Sequence, residues 1–157
     1  MEKIHNNLNI ENLIRTEWFN QFSDLQKTSI IEGLKDNVDV SIYAKKEFQF
    51  HQMEEIRIGL KNKIDVSVYA NQDFDEEQMN QIRIGLENKM DISWYAKKDF
   101  DWMQMKAIRE GLEENLNVSK YANPTIHRFK MHFIKERLRE EKENEQIRLE
   151  DNKLKIT

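Results

Sequence analysis

The chain repeats itself every 26 residues, and this period restricts it to architectures in which one small unit packs against copies of itself. Phe22, Phe48, Phe74 and Phe100 mark the register, as do Gly33, Gly59, Gly85 and Gly111. Tyr43, Tyr69, Tyr95 and Tyr121 follow the same spacing, each with Ala after it and Ser two residues before it. The unit reads F-x-x-x-Q-M-x-x-I-R-x-G-L-x-x-x-x-D-V-S-x-Y-A, most clearly between Phe48 and Ala122.

Weaker copies flank these units. Ile4, Leu8, Ile14 and Trp18 before the array, and Ile126, Met131, Ile134 and Leu138 after it, fall where the unit needs apolar side chains. Both ends are expected to be degenerate caps, because a terminal unit has no neighbour to bury its outer face. A glycine inside a helix costs about 1 kcal/mol relative to alanine, so its fourfold recurrence predicts a close approach by another stretch of backbone. Arg137 occupies the fifth such position, where no further unit follows.

The first half of each unit predicts an amphipathic helix of about 12 residues. In the third copy Asp75 and Gln78 suit the N-cap and N3 positions of a capping box, and Phe74 and Met79 suit a hydrophobic staple. Asp101, Gln104, Phe100 and Met105 repeat the pattern, and Met79, Ile82 and Leu86 form a buried stripe. In the second half, alternation of Val66, Val68 and Ala70 also suits a short strand, which would imply a leucine-rich-repeat-like horseshoe. A short helix capped by Asp65 is preferred, with Val66, Tyr69 and Ala70 on one face. The expected fold is therefore all-α: a short right-handed solenoid of two-helix units. Its expected parts are an N-terminal cap over residues 1–21, four repeats over 22–125, and a C-terminal cap with a charged tail helix over 126–157. Opposite charges at helical spacing, such as Arg137 with Glu141, predict that the tail helix protrudes into solvent. No heptad seam continues past Leu138, and fraying is expected from about residue 150.

Composition narrows the function classes. The net charge is -4, and residues 126–157 carry nine Lys/Arg against seven Asp/Glu, leaving 16 against 22 in the rest. An acidic body argues against a generic phosphate binder. The absence of cysteine removes disulfides and thiolate metal sites and points to a reducing cytoplasm. No window has the apolar length of a signal peptide or a membrane span, so a cytoplasmic protein without membrane contact is expected.

No catalytic constellation is visible: there is no G-x-S-x-G, P-loop, G-x-G-x-x-G or H-E-x-x-H. His127 and His132 are five residues apart, off the four-residue step that sets two imidazoles on one helix face, and His5 and His51 stand alone. Neither catalytic residues, metal nor cofactor are expected. Asp39, Asp65, Asp91 and Asn117, with Ser41, Ser67, Ser93 and Ser119, are expected to serve helix starts, and the tyrosines to be core.

Arg57, Arg83 and Arg109 allow two readings: a ladder of guanidiniums facing a phosphate backbone or acidic partner, or ion pairs between neighbouring units. Positions at which the units differ are more informative, because packing dictates the shared ones. Phe50, His51 and Trp102 occupy first-turn helix positions, and Trp94 and Lys120 lie between the repeated Ser and Tyr. Trp94 and Trp102 are least explained by the repeat, and serve either as plugs between units or as interface anchors.

The string Q-M-x-x-I-R-x-G-L-x-x-x-x-D-V-S-x-Y-A, in its versions at Gln52–Ala70, Gln78–Ala96 and Gln104–Ala122, resembles a short helical repeat of Gram-positive bacteria, their phages and mobile elements. The resemblance implies a setting rather than an activity: a small inhibitor that binds a host defence complex such as a CRISPR effector. The leading expectation is thus a non-enzymatic protein that occludes a site on a larger protein or ribonucleoprotein. The rivals are a nucleic-acid binder using the arginines with Arg128, Lys130, Lys135, Arg137 and Arg139, and a self-assembling structural protein stacked through its caps.

Overall fold

The computed structural model describes residues 10–156 and is all-helical, with no strand among the described residues. Two short helices, α1 (Ile10–Leu13) and α2 (Glu17–Asn20), precede four helices of 12 residues each. These are α3 (Asp24–Lys35), α4 (Phe50–Lys61), α5 (Glu76–Glu87) and α6 (Trp102–Glu113), and α7 (Arg128–Leu154) ends the chain. None of them is long and apolar enough to cross a membrane. Two compact units divide within α5, one ending at Arg83 and the other beginning at Ile84.

The helix starts follow the expected chemistry. Asp75 accepts from the Gln78 amide at 2.8 Å while the Gln78 side chain accepts from the Asp75 amide at 2.9 Å, and Asp101 with Gln104 and Ser23 with Gln26 do the same. Between the long helices the D-V-S segment is a single 3-10 turn, at Val40–Ile42, Val66–Val68, Ile92–Trp94 and Val118–Lys120. The strand alternative is absent, and the expected second helix shrinks to three residues. Asp65 Oδ1 accepts from both the amide and the hydroxyl of Ser67, at 3.1 and 2.6 Å, which satisfies the turn's first donors without a longer helix. These bonds hold the Asp65 carboxyl below its ordinary pKa.

The glycine column has a different cause from the one expected. A Cβ added at Gly33, Gly59, Gly85 or Gly111 would lie 1.8 to 2.1 Å from the hydroxyl of the tyrosine ten residues later, so a side chain of the same repeat fills the space rather than a neighbouring backbone. Tyr43, Tyr69 and Tyr121 are fully buried and donate to the carbonyls of Ser29, Glu55 and Ala107, at 2.8 to 2.9 Å. Each acceptor lies one helical turn before its glycine. Burial pushes the phenols of Tyr43, Tyr95 and Tyr121 up in pKa, so they remain neutral donors. Arg137 escapes the constraint because α7 runs on and no tyrosine folds back over it.

Each repeat helix ends in a Schellman motif that the sequence reading missed. Asn37, Lys63, Lys89 and Asn115 have φ of 55 to 60°, the left-handed region that glycine prefers. The next residue's amide returns to the glycine carbonyl, as in Ile64 to Gly59 at 2.9 Å, while the Lys63 amide reaches Leu60 at 3.0 Å. Lys63 is exposed. Lys63→Gly is accordingly expected to raise stability by about 0.5–1 kcal/mol, relief of the left-handed strain outweighing the added freedom of the unfolded chain. Urea denaturation measures it, and a loss of stability would refute the strain argument.

Successive repeats are tied by the same glutamine that closes each capping box. The side-chain amide of Gln26 donates to the Phe48 carbonyl at 2.7 Å and that of Gln52 to the Phe74 carbonyl at 2.8 Å. In the second unit Gln104 donates to the Ile126 carbonyl at 2.8 Å. Around these bonds Ile30, Met53 and Ile56 are buried in the first unit, and Met105, Ile108 and Met131 in the second.

The ends depart from expectation in two places. Ile4 and Leu8 lie outside the described residues. Ile14 and Trp18 are exposed, the latter with its edge against Phe22 at 5.3 Å, and Phe19 is the buried residue of α2. The tail helix continues to Leu154, past the point where fraying was expected, and everything from Glu140 onward along it is exposed.

Candidate partner-binding surface

The candidate residues divide between the two units. Phe50, His51, Arg57 and Arg83 belong to the first; Trp94, Trp102, Arg109 and Lys120 belong to the second.

Helix α4 begins at Phe50, which is half-buried, and His51 beside it is exposed. Their rings are 5.0 Å apart and tilted by 58°. The corresponding first-turn positions of α6 hold Trp102, half-buried, and Met103, exposed. Trp94 and Lys120 each close a 3-10 turn, and both are exposed. Trp94 is 38% exposed, the same fraction as Val68 one repeat earlier. At the same position Lys120 is exposed and Ile42 half-buried, so the column lies at the surface, and the indole puts more apolar area in water than Val68 does.

The arginines do not form an open ladder. Arg57 donates through Nη1 to Asp36 at 2.5 Å and through Nε and Nη2 to Glu54 at 3.0 and 2.7 Å. Arg83 Nε reaches Glu55 at 2.8 Å, and Arg109 Nη1 reaches Glu113 at 2.6 Å. All three side chains are only 10 to 14% exposed. Arg57 with Asp36 and Arg83 with Glu55 link adjacent repeats, which is the ion-pair alternative for this column. Lys135 continues it by one 26-residue step, buried and paired with Glu110.

The first unit holds the densest polar cluster. Glu54 also accepts from the buried Ser29 hydroxyl at 2.7 Å, and Asp36 also accepts from Lys61 at 2.9 Å. The hydrogen bond from Lys61, with help from Arg57, lowers the pKa of Asp36. Burial alone would raise that of Glu54, but the bonds from Arg57 and Ser29 together outweigh it and the net direction is down. In the second unit Arg139 grips Glu114 through Nε and Nη2, at 2.5 and 2.6 Å, and lowers that carboxyl in the same way. These are clamps holding helices together, with every charge answered internally.

Among the described residues no three His, Asp or Glu side chains are grouped to hold a metal. His127 caps α7, its Nδ1 accepting from the Phe129 amide at 3.4 Å, and His132 faces Glu136 at 3.9 Å. The second unit also carries two exposed aromatic residues that the sequence reading passed over, Phe129 and Phe133 on α7. Their signal was present: each sits 26 residues after a repeat position, Met103 and Ala107 respectively, and breaks the polar pattern a terminal cap requires. No family model matches the chain, and neither the curated proteins nor the solved structures contain a significant match to it.

Proposed function

We propose that this chain is a non-enzymatic binding protein whose repeats stack into a short right-handed α-solenoid, one face of which covers a site on a larger protein or ribonucleoprotein. The observation that carries the reading is Trp94, an exposed indole at a position that holds Ile42, Val68 and Lys120 in the other repeats, so that the repeat prescribes no aromatic side chain there. Trp102 and Met103, on the first turn of α6, add apolar surface at another variable position. Aromatic side chains at such places are characteristic interface anchors. Support for the solenoid comes from the glutamine bonds, which join consecutive repeats in one register within each unit. The repeat's resemblance to proteins of phages and mobile elements supplies the setting: a cytoplasmic inhibitor of a host defence complex such as a CRISPR effector. Arg57 and Arg83 contribute by holding adjacent repeats together and Arg109 is paired with Glu113 on its own helix, which leaves Phe50, His51, Trp94, Trp102 and Lys120 as the contact candidates.

Capture on the tagged protein from a host lysate expressing candidate defence systems, with and without nuclease, tests this. A stoichiometric partner that survives nuclease is expected. Trp94→Ala with Trp102→Ala should weaken that complex by about thirtyfold or more while leaving the melting temperature within a few degrees. Recovery of nuclease-sensitive material alone would overturn the reading in favour of nucleic-acid binding.

A further inference from the structure

We infer that the outward face of α7 is a docking surface for a basic amphipathic helix of another protein, which lies on α7 as α7 lies on α6. The chemistry of the occupant follows from a rule the repeats already obey. Carboxylates late in one helix receive a Lys or Arg from the next. Glu110 receives Lys135 and Glu114 receives Arg139, each from 25 residues later, as Asp36 receives Lys61. Advanced by one 26-residue step, Glu110 becomes Glu136 and Glu114 becomes Glu140. The last helix therefore repeats this pair of carboxylates, one turn apart, with no following helix among the described residues to answer them. Glu136 is met by Arg139 of its own helix at 2.6 Å, much as Glu110 is approached by Lys106 of its own helix while still receiving Lys135. Glu140 is exposed.

Apolar surface accompanies this charge. Stepping by 26 residues, Ser29, Gln81 and Ala107 occupy one buried column, and Phe133 is its next member, 61% exposed. Phe129, one turn earlier, is 71% exposed. Phe129, Phe133, Glu136 and Glu140 follow one another at i, i+4, i+7 and i+11 and so share one side of α7, opposite Met131 and Leu138, which face α6. Glu143, Ile147, Asp151 and Leu154 continue the stripe, which holds no Lys or Arg. Lys130, Arg137 and Arg148 lie along one margin of it, the last two beside Glu141 and Glu145.

Charge complementarity selects the occupant. The phenylalanines call for apolar contact, and the carboxylates between and beyond them repel phosphate groups and acidic peptides. The helix that fits presents what α7 presents to α6, namely Met131, Lys135, Leu138 and Arg139, apolar and basic residues at i, i+4, i+7 and i+8. A second copy of this chain has no such helix free. Its Lys135 and Arg139 are engaged by α6, and Arg57, Lys61 and Arg83 by carboxylates of their own unit.

The inference rests on α7 and not on Trp94, so it stands or falls separately from the function proposed above. A fluorescein-labelled helical peptide of leucine and lysine in that spacing serves as the probe, read by fluorescence anisotropy. It is expected to bind the full chain at least about tenfold more tightly than its leucine–glutamate counterpart or an oligolysine of equal charge. Glu136→Lys with Glu140→Lys should weaken the leucine–lysine peptide by about tenfold or more and strengthen binding of the leucine–glutamate one. Glu76→Lys with Glu77→Lys makes the same change in net charge at exposed residues of α5 and should leave both affinities within about twofold. Phe129→Ser with Phe133→Ser should weaken the leucine–lysine peptide with the helical circular dichroism retained. Absence of binding, equal effects of the two charge reversals, indifference to the serine substitutions, or a concentration-dependent dimer that those substitutions abolish would overturn the inference.

Discussion

Gly59→Ala is expected to lower the stability of the protein by about 2–3 kcal/mol, although alanine is the better helix former by about 1 kcal/mol. The added methyl would stand 2.1 Å from the Tyr69 hydroxyl and 2.7 Å from Val66 Cγ1. Tyr69 is fully buried and its hydroxyl donates to the Glu55 carbonyl at 2.9 Å, so the ring has little room to retreat without giving up that bond. Crowding contributes about 1–3 kcal/mol and an orphaned buried hydroxyl about 1–3 kcal/mol, which together exceed the gain in helix propensity. Urea denaturation followed by circular dichroism reads the effect as a lower midpoint at unchanged slope. Adding Tyr69→Phe removes the nearest clashing atom, so the double variant should recover at least about 1 kcal/mol of coupling, with a residue of the loss left at Val66. A Gly59→Ala protein more stable than the parent would refute the packing account of the glycine column.

Loss of the Arg57 guanidinium should be of similar size. Arg57→Ala leaves Glu54, a largely buried carboxylate, with Ser29 as its remaining donor in this cluster, at an expected cost of about 2–3 kcal/mol. This is below the range for a fully buried pair because the Glu54 side chain is 25% exposed and water can reach it. The acid dependence gives a second readout. Glu54 and Asp36 both have folded-state pKa values held below their ordinary 4.5 and 3.8. Groups depressed in the folded state contribute stability that is fully present above the unfolded value and is lost as pH falls through the folded one. The parent should therefore lose stability as pH drops below about 4.5, more steeply than Arg57→Ala, and the two curves should draw together as the pH falls through the folded-state values. Parallel curves throughout would mean that the cluster is not what couples the first unit's stability to pH.

How much of the fold a reader can take from these residues depends on the range of the interactions involved. Helices of 12 residues and their Asp–Gln capping boxes were legible because the bonds that make them join residues three or four apart. The D-V-S segment was half legible. Asp65 was recognised as a cap, but whether the turn after it would continue as a helix depended on Tyr69 diving back beneath Gly59, a packing event ten residues away. The left-handed Lys63 and Lys89 were missed because their type disfavours that conformation, and the Schellman bonds to Gly59 and Gly85 impose it nonetheless. Of the candidate contacts, Trp94 was found as a departure from the repeat, whereas Phe129 and Phe133 were overlooked at the array's edge, where the pattern blurs into the charged tail.

By itself the sequence determined the period, the all-helical content and the helix starts, since each follows from side chains acting on backbone a turn away. Tertiary structure decided which residues the period leaves available. Arg57 and Arg83 look like a ladder in one dimension, but carboxylates 21 and 28 residues distant close on them. Ala107 and Phe133 are one step apart in the same column, yet one is buried and the other faces water, because only the first has a following helix to cover it. Burial depends on what stands opposite a residue, and a repeating sequence writes that neighbour into every unit except the last.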